Sequence, residues 1–354
     1  MNRHNLLTDI PGLRVGNICN ERIISGVTAV IFDCDTVASG VTRGGAPGTR
    51  DSDLLRPEMS IQGVHAVLLS GGSLFGLDAA GGAAAFLREA GHGLKISGQI
   101  IPIAVQAITF DLLNGGDKAW GQEPVYWRMG WQAAEAATAE PFDLGSAGGG
   151  YGVTTANFKG GLGSASAMTS SGICVAAIVL VNAVGSVTIG NGPWFWAAPF
   201  ERGNEFGGYG QPPHPPQDAL MLKVKGETPP STTIALVVTD AVLTKPQTLR
   251  LATMADDGLA RAVRPAHAPM DGDTVFAVAT LDKPLRNPLS ELMELGALAA
   301  DCLARAIARG VYQARIPSDA YTGPPSFIDV HGGGNIIRLC VQIYFQLIVL
   351  HVHR

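Results

Sequence analysis

Apolar positions fall in short runs separated by glycine-rich and polar turns along most of the chain. Five runs, at 27–32, 64–70, 174–181, 234–240 and 274–280, are rich in Val, Ile and Ala and bounded by turn residues. Runs of this length and type predict buried strands. Three stretches instead follow helical spacing. The first opens at Ser73, an N-cap type, and runs through Ala79, Ala83 and Phe86 to about residue 90, with Gly91 as its stop. Its interior Gly81 and Gly82 weaken a helix, so they predict close approach of another backbone. The second pairs Thr244 with Gln247 in a capping box, has Pro246 in its first turn, and must end before Pro265. The third runs from Ser290 to Arg309 and stops at Gly310. Its Leu292, Leu295, Ala299, Leu303 and Ile307 form one apolar stripe.

Two segments break the rhythm. Residues 191–231 carry Pro212, Pro213, Pro215, Pro216, Pro229 and Pro230 with Gly207, Gly208 and Gly210, and predict a long surface loop. The tail at 337–349 alternates apolar residues at every second position, a strand period. Arg338, Gln342 and Gln346 argue against a membrane span there.

Composition narrows the class. Glycine is 45 of 354 residues, against an ordinary share of about 7%, and only 16% of residues are charged, against about 25%. With 46% apolar residues, disorder is excluded, and a net charge of -5 argues against nucleic acid as the partner. So little charge in a chain of this length suggests surface covered by other subunits. The five cysteines (Cys19, Cys34, Cys174, Cys302, Cys340) are widely spaced, with no metal-ligand pattern, and read as reduced thiols in a cytoplasmic protein. The first residues lack the apolar core of a signal peptide.

Several glycine loops are candidates for anion binding, but none fits a known phosphate motif. Gly71-Gly72-Ser73 lies between a predicted strand and helix, so its N–H groups could hold an anion or oxyanion. The loops at 145–152 and 159–164 are equally weak signals and read as plain turns. Asp271-Gly272-Asp273 is either a plain turn or a carboxylate pair at a strand mouth. Pro229-Pro230-Ser231-Thr232-Thr233 runs from a proline-rich loop straight into a predicted strand. It is either a simple strand start or a self-processing site. In the second case a hydroxyl attacks the carbonyl before it and leaves a free N-terminal Thr, whose amine then serves as base for its own Oγ1.

Taken together, seven segments in order resemble the P1 peptidases, the DmpA/β-aminopeptidase family that includes nylon-oligomer amidases. They are 8–16, 43–50, 70–77, 158–163, 181–185, 231–234 and 270–274. The resemblance implies an α+β fold, a four-layer αββα sandwich of the DmpA/ornithine-acetyltransferase type. It implies a single domain, 1–354, that cuts itself into 1–231 and 232–354. By the same resemblance Thr232 is the nucleophile freed by cleavage after Ser231, and Asn182 donates its side-chain N–H to the oxyanion. Lys159 lowers the Thr232 amine pKa or holds a carboxyl group. Asp271 and Asp273 match the acidic pair of the nylon-oligomer branch and bond the Thr232 amine or hydroxyl. Gly71, Gly72 and Ser73 line the substrate site. Phe110 stands where the family carries a substrate-side tyrosine, and Ser231 where relatives often have Asn or Gly.

The expected activity is hydrolysis of small peptides, β-amino amides or aminohexanoate oligomers, with no cofactor and no metal. The expected partners are the small amide or peptide substrate and other copies of the chain, as a homo-oligomer such as a tetramer of αβ units. No nucleic acid and no membrane is expected. The alternatives are an ornithine-acetyltransferase-type acyltransferase using the same threonine, a glycine-rich scaffold, and a serine hydrolase built on Ser73. Dividing the chain at Thr232 leaves 37 of the 45 glycines in 1–231.

Overall fold

Twelve strands form among the described residues, 3–226 and 231–332 of a computed structural model. They are β1 (Leu13–Asn20), β2 (Ser25–Phe32), β3 (Val37–Thr42), β4 (Thr49–Arg50), β5 (Ala66–Ser70), β6 (Leu94–Ile96), β7 (Gln99–Ile101), β8 (Ala104–Ile108), β9 (Leu162–Met168), β10 (Cys174–Asn182), β11 (Thr232–Val242) and β12 (Thr274–Pro284). The helices are α1 (Ala79–Glu89), α2 (Tyr126–Glu135), α3 (Lys245–Ala262), α4 (Pro288–Gln313) and α5 (Phe327–His331). Pro229, Pro230, the alternating tail at 337–349 and Cys340 lie outside the described residues.

Two five-stranded sheets carry the fold, in the orders β1-β2-β5-β8-β4 and β3-β12-β11-β10-β9. All five predicted strands are present, as β2, β5, β10, β11 and β12, and every residue of β2, β5 and β10 is buried. Burial on both faces explains their near-continuous apolar runs. One apolar cluster joins the two sheets through Val30, Leu69, Ile178, Leu236 and Val278. A second packs α1 and α2 on the first sheet, and a third packs α3 and α4 on the second.

The helices depart from expectation in instructive ways. Thr244 accepts from the Gln247 N–H and α3 ends at Ala262, as the capping box and Pro265 predict. Helix α4 does not stop at Gly310 but continues to Gln313. That glycine lies where the helix backbone meets β9, and a Cβ there would sit 3.0 Å from Gly163 N. Ser73 is not an N-cap. It has φ +52 in a 3₁₀ turn, Ser73–Asp78, and α1 begins only at Ala79. Gly82 does bring two backbones together: a Cβ would come within 1.9 Å of the Trp127 carbonyl oxygen on α2. Beyond the turn at Ala198–Phe200, residues 191–226 form no helix or strand, as their prolines and glycines predict.

Candidate active site

The antiparallel β10–β11 register sets Asn182 opposite Thr232, the first residue of β11. On the other side, Ser231 bridges to Asp271 in parallel, where the chain enters β12. Four of the expected residues, Asn182, Ser231, Thr232 and Asp271, thus converge because two strands and one turn meet at the same level. Thr232 is only 4% exposed.

The carbonyl oxygen of Ser231 accepts two hydrogen bonds. The Thr232 hydroxyl donates at 2.5 Å, and the Gly272 N–H donates at 2.9 Å. Gly272 must be glycine for this approach, since a Cβ would stand 2.8 Å from Thr232 Oγ1. The 43–48 segment lies across the same turn: Ala46 N–H donates to the Asp271 carbonyl and Arg43 N–H to that of Asp273. A Cβ on Gly44 would meet the Asp271 oxygen at 2.3 Å, which explains a glycine there.

Asp271 and Asp273 are both buried but held differently. Asp273 accepts from Thr233 N–H at 2.8 Å through Oδ1, and from His267 N–H (2.9 Å) and Nδ1 (3.0 Å) through Oδ2. Asp271 Oδ2 accepts from Ala268 N–H at 3.0 Å. Burial first, then the charge of Asp273, pushes the Asp271 carboxyl up to about 6.

Asn182 is fixed on every side. Its Oδ1 accepts from Thr154 N–H at 3.0 Å and Lys225 Nζ at 3.2 Å, and its Nδ2 donates to the Phe110 carbonyl at 3.0 Å. One of its two side-chain N–H groups is therefore already used. Burial brings the Lys225 ammonium down to about 7 against the opposing pull of Asp271. Lys225, Phe110, Asp111, Asn114 and Thr154 line a cavity of about 210 Å³. A larger cavity of about 890 Å³, with Asp33, Cys34, His65 and His92 in its wall, shares no lining residue with this one.

Two expected groups are committed to other partners. Lys159 Nζ donates to the carbonyls of Gly150, Val153 and Gly160 at 2.9–3.0 Å, which uses all three N–H bonds of an ammonium. Burial pulls it down to about 7. The Gly71-Gly72-Ser73 loop does hold a carboxyl group, but one from the same chain. Asp111 Oδ1 accepts the Gly72 N–H at 2.7 Å, while Gly71 and Ser73 N–H groups go to Gly26 and Thr109 carbonyls. The loop meets the cavity through Asp111 rather than through its own N–H groups.

A family model, "Peptidase family S58", matches residues 5–319. The chain belongs to peptidase family S58. This is the DmpA/β-aminopeptidase family that the seven segments resemble. An uncharacterised aminopeptidase of Mycobacterium leprae is 38% identical, over 94% of this chain and 98% of its own length. A 6-aminohexanoate-oligomer endohydrolase of a Kocuria species is 26% identical over 85% of this chain and 84% of its own. Among solved structures, a Burkholderia β-aminopeptidase superposes with a TM-score of 0.69 at 22% identity, covering 94% of both chains. That likeness concerns the fold.

Lys225 and His267 are the two residues that reading along the chain misses. Nothing local marks Lys225, which reaches Asn182 from 43 positions away. His267 carries a signal, as a third titratable group four residues before Asp271 in one turn.

Proposed function

We propose that this S58 peptidase is an amide hydrolase that makes its own nucleophile by cutting before Thr232. The observation that carries this reading is the Ser231 carbonyl, contacted by both the Thr232 hydroxyl and the Gly272 N–H. While the Ser231–Thr232 bond is intact, residue 232 has no free amine, so another group must take the hydroxyl proton. Asp271, buried beside Ser231 with a carboxyl near 6, suits that role.

Oγ1 attacks the Ser231 carbonyl carbon, and Gly272 N–H stabilises the oxygen as it becomes negative. The C–N bond then breaks, the proton passes to the departing nitrogen, and an ester joins Ser231 to Thr232 Oγ1. Water hydrolyses the ester, leaving a carboxylate on Ser231 and a free amine on Thr232. The same Oγ1 then attacks substrate amides, with the new amine as base and the second Nδ2 N–H of Asn182 on the oxyanion. Lys159 shapes the loop behind the site through its three carbonyls.

The names of the relatives lend the substrate class: short peptides and aminohexanoate amides, entering the Phe110-lined cavity. The three stacked apolar clusters support the four-layer αββα arrangement. Exposed Leu113, Leu220, Met221 and Leu222 support assembly with further copies.

The test is a denaturing gel with N-terminal sequencing. Fragments of 231 and 123 residues from a 36.8 kDa chain are expected at about 24 and about 13 kDa, the smaller beginning Thr232-Thr233. Thr232→Ala should stay whole. A wild-type chain that remains intact on long incubation would overturn the reading.

A further inference from the structure

Behind the nucleophile a row of charged and titratable groups runs from buried Asp273 and Asp256 out to exposed Arg43. His267 Nδ1 meets Asp273 at 3.0 Å, its Nε2 faces Asp256 of α3 at 3.5 Å, and Asp256 in turn lies 3.7 Å from Arg43. The histidine adopts φ +57, a left-handed conformation uncommon outside glycine, though histidine enters it more readily than most side chains. That backbone turn lets its own N–H and its ring nitrogen reach the same Asp273 oxygen. The other Asp273 oxygen holds Thr233 N–H, one residue past the proposed nucleophile.

We propose that His267 is a positioning residue of this site: clamped between Asp256 and Asp273, its imidazolium fixes the 271–273 turn against the start of β11 and favours the ionised form of Asp271. The proposal rests on the reading above for what the turn does. Its own basis is geometric: three carboxylates, Asp256, Asp271 and Asp273, crowd one small volume. Like charges so close favour proton uptake unless a cation lies among them. The cations facing the cluster are His267 itself, Arg43 against Asp256 and Lys225 against Asp271. Of these, His267 alone touches two of the acids. Its bond to Asp273 and the charge of Asp256 raise its pKa above the ordinary value, in keeping with a charged ring.

The test uses the full chain and two variants. His267→Asn keeps an N–H near the Nδ1 position and a residue type that tolerates the left-handed backbone, but removes the charge. Asp256→Asn weakens the clamp from the other side. Self-cleavage is followed against pH. In His267→Asn the acidic limb should move up by about one pH unit, with most of the rate recovered at high pH. Asp256→Asn lowers the pKa of the ring, and its fragments should form with a profile altered at neutral pH rather than at pH 5. A purely structural role would lower the rate equally at every pH, and that result would overturn the proposal.

A second readout does not depend on cleavage. In uncut Thr232→Ala, the imidazole NMR shifts of His267 should titrate above about 6.5, the ordinary value. The midpoint should fall when Asp256→Asn is added, and a midpoint that stays put would count against the clamp. If wild type is never cut at Thr232 but this titration holds, the cleavage reading fails and the clamp stands.

Discussion

The Gly272 N–H donates to the Ser231 carbonyl oxygen at 2.9 Å, from the turn that also carries both acids of the site. The carbonyl of the bond that would be cut is therefore polarised from the same turn, 271–273, whose acids would serve the cut enzyme. A side chain at 272 tests this directly. In Gly272→Ala the new Cβ would lie 2.8 Å from Thr232 Oγ1 and 2.9 Å from the Ala46 oxygen, so turn and nucleophile must move apart. Self-cleavage is expected to slow by about 10²-fold or more, the usual effect of losing one oxyanion donor. The time course of fragment appearance on a gel is the measurement.

Asn182 is expected to matter to substrate turnover more than to folding. Asn182→Ala removes the remaining N–H of its amide and releases the Lys225 and Thr154 contacts. On pre-cleaved enzyme, kcat for a chromogenic amide should fall by about 10²–10³-fold, with KM changing far less. Equal losses in kcat and binding would remove Asn182 from the oxyanion site.

Asp271 trades stability for chemistry. Its carboxyl rises from 3.8 in the unfolded chain to about 6 in the fold. The folded state thus holds the proton more tightly, and stability is lost as pH rises from about 4 to about 6. Asp271→Asn removes this penalty. In a Thr232→Ala background it should be more stable than its parent by about 1–3 kcal/mol at pH 7, with the gain vanishing near pH 4. Thermal melts at the two pH values check the sign.

Much of this was legible in the chain. Strand β10 is apolar up to Asn182 and β11 carries an apolar run at 234–238, and α3 announces itself through Thr244 and Gln247. Others were hidden for physical reasons. Helix α2 has no side-chain cap, and its Gly130 serves the crossing with α1 rather than helix propensity. Strand β9 reads Leu-Gly-Ser-Ala-Ser-Ala-Met, yet it buries Ser164 and Ser166 because their hydroxyls reach the Ala177 carbonyl and Asp9. In the proposed site, Ser231, Thr232, Asp271 and Asp273 were legible through the family resemblance, because their local strings read equally as a strand start and a turn. Lys225 and His267 act through partners that only the fold brings near, and Lys159 turns away to its own loop.

Glu205 ties the long loop to the rest. It accepts from Arg305 Nε at 2.6 Å and Asn5 Nδ2 at 2.6 Å, and Arg309 lies 3.5 Å away. Glu205→Ala leaves buried Arg305 and half-buried Arg309 without this carboxylate, a change that costs about 3–5 kcal/mol in comparable sites. A melting temperature lowered by several degrees is expected, and an unchanged one would show that the loop is not anchored there.

The strand order β3-β12-β11-β10-β9 has a consequence for any cut before Thr232. Strands β11 and β12 belong to the later piece, yet they lie between β3 and β10 of the earlier one. The two polypeptides would be interleaved rather than docked. Parting them means unzipping ladders on both flanks and opening the cores above and below, which is unfolding itself. A nicked molecule should therefore melt in one cooperative step, and dilution alone should never release a half.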